Sequence, residues 1–352
     1  MKKRVVIFLI LLNCFSLFAC EKLIPFQVNN KIGFLNEKMK VVFLPEFDDF
    51  IYCYEGWVIA INKNESSMHE YILNRNGKRI SVPSGQSGFV IGKKHYGFTD
   101  FCNSTVYSLE TDEKIDFPNF RFYSSTSEEN IMIDSISVRP RCNYINLQGE
   151  LLLAPNNGLK IEWFDKNINL GVRRQNGWAF LIDSNINPIN EKKYGFINEF
   201  SCGLALTDKG FIDYKGNLII PISRIPEMNI NFQCDVIPIV ITQQNTYELY
   251  SHEECMNANW AIINSEGKII KSNIDADSIS NFSKDGVAIL YKFIKDKPFF
   301  YLINTQGEFV NGETFDKIYP SENGFSRARK NNEDYLINVK TGKIINCKDF
   351  FN

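Results

Sequence analysis

The side chains in this sequence whose types and spacing could do chemistry are nine cysteines, three histidines and several paired carboxylates. His252-Glu253-Glu254-Cys255 begins like a zinc-binding helix, but Met256 stands where the second histidine is needed. Gly85-Gln86-Ser87-Gly88 has the start of a nucleophile elbow, yet Phe89 occupies the place of its last glycine. We interpret the first as a solvated loop and the second as a plain turn. We therefore predict no catalytic residue, no metal site and no cofactor.

The carboxylates allow one alternative. Acidic neighbours occur at Asp48-Asp49, Asp112-Glu113, Glu128-Glu129 and Asp275 with Asp277. Two carboxylates that converge in a cleft could hydrolyse a glycoside, so a glycan-acting hydrolase of the cell envelope stays open. Asp277 and Asp316, however, recur at matching places along the chain. Because a catalytic pair is needed only once, this recurrence favours a capping role at turns.

The amino-terminal segment, residues 1–19, has the pattern of a secretory signal peptide. Lys2, Lys3 and Arg4 precede an apolar run that is too short for a stable transmembrane span. The run ends in Leu17-Phe18-Ala19-Cys20, which resembles a bacterial lipobox, although Phe18 is larger than the usual residue. This resemblance implies cleavage before Cys20 and lipidation of its sulfur. Ordinary cleavage after Ala19 is the alternative.

The remaining cysteines give no recognisable framework. Removal of Cys14 with the signal and use of Cys20 for lipid leave an odd number, and no Cys-x-x-Cys pair occurs. Cys53 and Cys202 fall where the chain repeats a small apolar residue, so we expect buried thiols. One or two disulfides remain open, and the sequence cannot pair them.

A self-similar pattern runs through the rest of the chain. In Trp260–Ile270 an aromatic residue leads an apolar run to Asn264, and Gly267 precedes a second apolar run. The pattern predicts a hairpin in which Asn264 accepts from the backbone two residues on and Gly267 has a positive φ. The aromatic at the strand start predicts a ladder in the core. Related stretches begin at Tyr71, Tyr144, Gly210, Phe300 and, one residue longer, Tyr335.

The Asn or Asp before each turn serves as a phase marker. These markers stand at positions 36, 74, 100, 146, 183, 213, 264, 304 and 338. Their mean spacing of about 38 residues is typical of solenoids, propellers or arrays. After each hairpin a third strand follows, such as Val287–Tyr291. The sequence therefore predicts an all-β array of about eight to nine hairpin or three-stranded units over residues 20–352. Uneven spacing favours an open curved solenoid, with a propeller-like ring as the alternative.

These units resemble bacterial WG repeats. The resemblance rests on the aromatic-glycine or Gly-Trp leads, the turn glycine and the Phe-Asp pairs, as in Gly177-Trp178, Tyr96-Gly97-Phe98 and Phe315-Asp316. That family has no established common activity, so the resemblance implies a binding or display scaffold. Two stretches exceed the repeat, near 101–140 and 222–259, and inserted loops of this kind often form binding surfaces. The alternative is a tolerated surface loop, because added loop length costs little stability.

The overall charge of the chain argues against one class of partner, nucleic acid. The net charge is −2, and no polybasic stretch follows the first four residues, so a nucleic-acid partner is not expected. The sequence thus predicts a noncatalytic binding or scaffold module, lipid-anchored at Cys20 in the bacterial cell envelope. We expect it at the outer membrane or facing the periplasm, with a protein or glycan partner whose identity the sequence does not give.

Overall fold

The computed structural model describes most of the chain after Glu21. The described residues are 22–52, 56–64, 67–92, 94–100, 103–111, 113–122, 131–135, 142–148, 150, 160–165, 168–225, 230–249, 258–295 and 297–351. The predicted signal peptide and Cys20 lie outside them. Within these ranges the only helix is a short 3₁₀-helix, Cys347–Phe351, and none is long and apolar enough to span a bilayer.

The described strands form nine small antiparallel sheets. Sheet 1 contains β1 (Ile24–Val28), β2 (Lys31–Leu35) and β3 (Val41–Phe47), and sheet 2 contains β4 (Asp49–Tyr52), β5 (Trp57–Asn64), β6 (Ser67–Asn74) and β7 (Arg79–Ser81). Sheet 3 contains β8 (Ser87–Ile91), β9 (His95–Thr99), β10 (Asn103–Ser108) and β11 (Lys114–Pro118). Sheet 4 contains β12 (Phe120–Phe122), β13 (Ile131–Ser135) and β14 (Cys142–Ile145). Sheets 5 and 6 contain β15 (Lys160–Asp165), β16 (Leu170–Gln175) and β17 (Trp178–Ile182); and β18 (Ala205–Thr207), β19 (Gly210–Ile212) and β20 (Leu218–Pro221).

Sheets 7 to 9 complete the molecule. Sheet 7 contains β21 (Val236–Ile241), β22 (Tyr247–Glu248), β23 (Trp260–Asn264) and β24 (Ile269–Ile274). Sheet 8 contains β25 (Ser278–Ile279), β26 (Val287–Ile294) and β27 (Lys297–Asn304). Sheet 9 contains β28 (Lys317–Ile318), β29 (Phe325–Lys330), β30 (Glu333–Asn338) and β31 (Ile344–Asn346). Strands follow one another in sequence order within each sheet, except that β22 pairs on the other side of β21 from β23. The predicted all-β array of repeated units is confirmed.

The repeated turn begins where the last or the second-last described strand of a sheet ends. Asn264 Oδ1 accepts from the backbone N–H of Glu266 at 3.2 Å and of Lys268 at 2.8 Å, and Gly267 has φ 78°. Equivalent side-chain acceptors begin the turns at Asn36, Asn74, Asn146, Asp183, Asp213, Asn304 and Asn338. We call these the marker turns. The predicted turn chemistry is therefore confirmed at these positions.

In the third sheet, the marker turn is not at Asp100, where the sequence pattern predicts it. Asp100 lies between β9 and β10, where its carboxylate accepts from Asn103 N–H at 2.7 Å. The marker turn between the last two strands of this sheet begins instead at Ser108, whose Oγ accepts from Glu110 and Thr111 N–H. A serine hydroxyl replaces the usual amide or carboxylate, which is why the sequence pattern selected the neighbouring turn.

The third strand of each predicted unit belongs to the next sheet. Val287–Tyr291 was expected to follow the Trp260 hairpin in one unit. Within β26, however, these residues pair with β25 and β27, and the hairpin of β23 and β24 belongs to sheet 7. Each sequence repeat therefore crosses from one sheet to its neighbour.

Apolar side chains fill the spaces between consecutive sheets. One cluster joins sheets 6 and 7 through Phe211, Phe232 and Ile239, all fully buried, and another joins sheets 7 and 8 through Trp260 and Leu290. Comparable clusters join sheets 1 and 2, 2 and 3, 3 and 4, 5 and 6, and 8 and 9. Between sheets 4 and 5, β14 lies against β15. Each sheet thus covers its neighbour's apolar face.

The array closes on itself, because sheet 9 packs against sheet 1. Ile24 and Phe26 of β1 share an apolar cluster with Leu336 and Cys347, and the rings of Phe26 and Phe350 lie 5.4 Å apart. Asn323 Nδ2 also donates to the carbonyl oxygen of Leu23 at 2.7 Å. Of the two forms that the sequence left open, the structure has the propeller-like ring rather than the open solenoid.

Candidate binding surfaces

The recurring aspartates tie strands together. Carboxylate oxygens of Asp48, Asp277 and Asp316 accept from the backbone N–H groups of Lys63, Phe293 and Asn331 at 2.8, 2.6 and 2.7 Å. Each bond links the approach to the first strand of a sheet with the far end of its second strand. The predicted capping role is confirmed. The hydrogen bond from Lys31 Nζ is the largest cause that holds the pKa of Asp48 below its usual value.

The other acidic pairs that the structure describes are bound to lysines. Asp49 pairs with Lys63 at 2.9 Å, and Asp275 pairs with Lys292. Asp112, Glu128 and Glu129 lie outside the described residues. Within the described ranges no three His, Cys, Asp or Glu side chains stand close enough to hold a metal ion.

A surface hollow of about 650 Å³ lies beside sheet 5. It is lined by Phe180, Pro188, Ile189, Asn190, Glu191 and Lys193. Glu191 is the one carboxylate among these lining residues, whereas glycoside hydrolysis needs two carboxylates across the scissile bond. This hollow therefore does not have the acidic pair that the hydrolase alternative predicts.

The candidate nucleophiles and ligands are scattered. His69 is on β6 and His95 is on β9, in different sheets, and His252 lies outside the described residues. Gly85, with φ 80°, precedes β8 in a turn closed by the hydrogen bond from Gln86 N–H to Pro83 O. Gly85 and Gln86 are in the predicted turn, whereas Ser87 and Gly88 are already the first residues of β8.

The cysteines divide between core and surface. Cys347 is buried at the contact between sheets 9 and 1, and burial raises the pKa of its thiol to about 12. Cys202, expected to be buried, is exposed at φ 51° in a turn. The pattern around Cys202 indicates a strand, but a glycine follows it and the pair forms the turn. Cys20, Cys53, Cys102 and Cys255 lie outside the described residues, as does the side chain of Cys142.

The repeated aromatics lie mostly in the core, as predicted. Trp260 and Trp57 are 3% exposed, and Phe211 is fully buried. Trp178 is the exception at 46% exposure. It begins β17 directly after the Asn176-Gly177 turn, at the end of the sheet where neighbouring sheets do not cover it. A Gly-Trp pair therefore does not by itself place the indole in the core.

The turns that lead into β18, β21, β26 and β29 contact one another through sheets 6 to 9. Ser201 Oγ donates to Phe232 O at 2.6 Å, Cys234 Sγ lies 3.3 Å from Lys284 O, and Ser283 Oγ lies 2.6 Å from Ser321 Oγ. These contacts continue to sheet 1 through Asn323 and Leu23. They lock neighbouring sheets in the same orientation.

Arg327 fills a space left beside sheet 1, which has no described strand before β1. Its guanidinium carbon lies 5.1 Å from the Phe50 ring and 4.5 Å from the Tyr319 ring, and Nη1 donates to Gln27 Oε1 at 3.3 Å. Burial lowers the pKa of Arg327, while Asp49 and Glu322 favour its charged form. Burial also raises the pKa of Glu322. Arg327 thereby joins sheets 9, 1 and 2 and has a structural role.

Only part of the stretch 222–259 is an insertion, because the rest of it belongs to sheet 7 and to the core. Phe232 is fully buried, and β21 is a central strand of sheet 7. The additional part is the connection from Thr242 to Ala258, of which residues 250–257 are outside the described ranges. Likewise, 101–140 contains β10 to β13, and its polar stretch 123–130 is not described.

The described part of the second insertion has an ordered base. Ser223 N–H donates to Tyr247 O at 2.9 Å, and Leu249 N–H donates to Arg224 O at 3.0 Å, which forms a short parallel pairing. Residues 243–246 are exposed. Because Val236 pairs with Asn264 while Ile241 lies at the other end of β21, the turn at residues 243–246 lies at the end of sheet 7 opposite its marker turn. Tyr247 Oη nevertheless reaches Gly267 O in that marker turn at 3.4 Å.

The fold and the repeat chemistry together define a ring-forming β-repeat protein. Residues 302–333 match the family model described as WG containing repeat, which supports a WG-repeat protein. No curated protein matches the chain in sequence.

Solved structures align with this chain at low sequence identity. A eukaryotic initiation factor aligns over 92% of this chain and 95% of its own, with a TM-score of 0.56 and 10% identity. Dipeptidyl peptidase 4 of Porphyromonas gingivalis aligns over 92% of this chain and 57% of its own, with a TM-score of 0.41 and 8% identity. The uncharacterized protein lmo1340 of Listeria monocytogenes aligns over 86% and 94%, with a TM-score of 0.39 and 13% identity. The first similarity concerns the fold alone.

Proposed function

We propose that this protein is a lipid-anchored repeat protein of the bacterial cell envelope that acts as a noncatalytic binding or scaffold module. The use of the recurring polar side chains supports this proposal. Asn264, Asp277 and their equivalents are occupied by backbone hydrogen bonds, so the repeated chemistry builds the ring. A rigid ring with variable connections is a form in which binding residues are commonly displayed on loops.

The observation that carries the proposal is the connection after β21. This connection is longer than the corresponding turns of the other sheets. Glu248 within it pairs with Arg224, and Gln243 and Gln244 are exposed. Exposed amide and hydroxyl groups suit a protein or glycan partner, because both present hydrogen-bonding groups. We therefore assign partner binding to this connection.

Replacement of the connection tests this assignment. Ile241 N–H donates to Asn259 O at 3.0 Å, so the two ends are adjacent and Thr242–Ala258 can be replaced by Asn-Gly. This replacement also removes β22 and the buried Leu249, so a variant that keeps the backbone carries the test if the shortened protein does not fold. The shortened protein is expected to lose partners that the parent captures from a solubilised envelope. A second variant, Gln243→Ala with Gln244→Ala, keeps the backbone and should weaken the same capture.

The matched control is Asn331→Gly with Asn332→Gly, in the corresponding turn of sheet 9. Both asparagines have positive φ, so glycine suits the turn. The control should capture the same partners as the parent. Unchanged capture by a folded shortened variant, checked by circular dichroism, would remove this connection as the binding surface.

The lipid anchor is tested separately by Cys20→Ser. The sulfur of Cys20 is the proposed attachment site, and loss of the acyl chains removes most of the membrane affinity because each buried methylene contributes about 0.8 kcal/mol. The variant is expected in the soluble fraction after cell breakage and a high-salt wash, where the parent still sediments with membranes. Membrane association that resists both the substitution and high salt would contradict the anchor.

A further inference from the structure

The marker turns of three neighbouring sheets carry an excess of basic side chains. Sheets 9, 1 and 2 are consecutive around the closed ring, and their marker turns contain one acidic residue, Glu37, that the structure describes. We call the following exposed residues the basic sector: Lys22, Lys38, Lys40, Arg75, Lys78, Lys340 and Lys343. Lys78 Nζ lies 5.7 Å from the Tyr96 ring. None of the seven forms an ion pair with another described residue.

The three turns lie on the same face of the ring. In sheet 1, Ile24 pairs with Leu35, so the chain before β1 and the marker turn at Asn36 are at one end. Contacts from Asn323 to Leu23 and from Arg329 to Asn30 show that β29 and β1 run in the same direction. Since Phe325 pairs with Asn338, the marker turn of sheet 9 is also at this end.

Sheet 2 has the same orientation. A side chain added at Gly77 would meet Val42 at 4.0 Å, and Val42 adjoins the residue that pairs with Leu35. The marker turn of sheet 2 therefore lies beside that of sheet 1. The basic side chains of the three turns therefore lie on the same face of the ring.

The rest of this face is mixed. Marker turns of sheets 3 and 4 carry Glu110, Glu113 and Glu150, and that of sheet 7 carries Glu266 with Lys268. The whole protein has a net charge of −2. The basic sector is thus a local asymmetry, and such a patch attracts a polyanionic surface.

The chain enters the ring in the middle of this sector. Lys22 N–H donates to Glu37 Oε1 at 3.2 Å, and Leu23 is held by Asn323. Cys20 precedes Lys22 by two residues, which span about 7 Å when extended. A lipid on Cys20 would therefore hold the basic sector close to the membrane.

We propose that the basic sector binds an anionic phospholipid surface, so that the marker-turn face lies on the membrane and the exposed residues 243–246 lie on the far side of the ring. The orientation rests on the proposed lipid anchor, whereas the lipid binding rests on the charge asymmetry. A lipid chain combined with a basic patch supplies the two signals that stable membrane attachment needs.

Vesicle binding without the anchor tests the charge component alone. Residues 20–352 with Cys20→Ser contain every described residue. This protein is expected to sediment with vesicles that contain phosphatidylglycerol and to remain free of phosphatidylcholine vesicles. Binding should fall as ionic strength rises, because salt screens exposed charges. Lys38→Gln, Lys40→Gln and Lys343→Gln together should weaken binding about tenfold or more.

The control removes the same charge from the opposite face. Lys295, Lys297 and Lys317 are exposed there, and their combined replacement by Gln should leave vesicle binding unchanged. Equal loss in both triple variants, equal binding to both vesicle types, or no binding to phosphatidylglycerol would overturn the proposal. Release by inorganic phosphate at constant ionic strength would also overturn it, in favour of a free-phosphate site.

The two proposals fail separately. The vesicle experiment contains no acyl chain, so its result does not depend on lipidation of Cys20. Release of Cys20→Ser from cell membranes is measured at high salt, where the basic sector no longer binds, so it tests the lipid anchor alone.

Discussion

At the residue scale, polar groups that could serve chemistry are used to shape the backbone. Asn264 accepts two backbone hydrogen bonds, and Asp316 accepts from Asn331 across sheet 9. An exposed backbone N–H gains only a modest free energy from such a bond, about 0.5 to 1.5 kcal/mol. Repeated around the ring, these contributions fix the register of the outer hairpins.

Substitution of Asn264 measures one of these contributions. Asn264→Ala removes the acceptor of Glu266 and Lys268 N–H and should lower the free energy of unfolding by about 1 kcal/mol. Asn264→Asp keeps the oxygen and should cost much less, as Asp213 occupies the equivalent position in sheet 6. Urea unfolding followed by circular dichroism provides the comparison. Equal losses in the two variants would show that the side-chain acceptor is unimportant.

Residue-level predictions succeeded where the chemistry is local. Gly267 has a positive φ and Asp277 caps a backbone group, because both roles follow from a few neighbouring residues. Predictions failed where the three-dimensional neighbours decide. Cys202 and Trp178 lie in repeated patterns, but their exposure depends on which sheet covers them. No sequence signal marks the position of Arg327 between Phe50 and Tyr319.

At the element scale, the sequence repeat and the sheet are different units. The matched repeat at 302–333 starts near the end of β27 in sheet 8 and finishes after β29 in sheet 9. Local patterns predict strands and their turns, because those depend on side-chain alternation and turn residues. They do not predict which sheet a strand joins, since a strand can pair with either sequence neighbour.

Because local patterns do not show which sheet a strand joins, the insertions were predicted to be longer than they are. Between Ile222 and Asn259 the marker pattern is absent, so the whole stretch was expected to project from the ring. Its apolar residues Val236–Ile241 instead form a strand of sheet 7. The sequence therefore predicts an irregular connection in the correct part of the chain but at about twice its size, and its pairing with Arg224 could not be foreseen.

At the scale of the whole molecule, the closing contact determines the architecture. An open stack of repeats has two end units that each lack a neighbour. Here Phe26 of sheet 1 is fully buried against the end of the chain, so every sheet has two neighbours. Repeat spacing carries no information about this contact, because it joins residues about 300 positions apart.

The way the ring closes also makes the starting point of the polypeptide interchangeable. Sheets 1 and 9 are each built from consecutive strands, and their contact uses side chains without an exchanged strand. Phe26 lies near Phe350 and Phe351, so a flexible linker of about eight residues can join the original ends. New ends placed between Ser84 and Gly85, in an exposed turn between sheets 2 and 3, leave every described sheet intact.

We expect this circular permutant of residues 22–351 to fold, with the circular dichroism spectrum of the parent and a similar thermal midpoint. A permutant opened between Ile239 and Val240, inside β21, is the control and should be strongly destabilised. If the first permutant remained unfolded, the order of synthesis would be part of what holds the ring closed. If it folds, the gene for this protein could begin at any of its sheets.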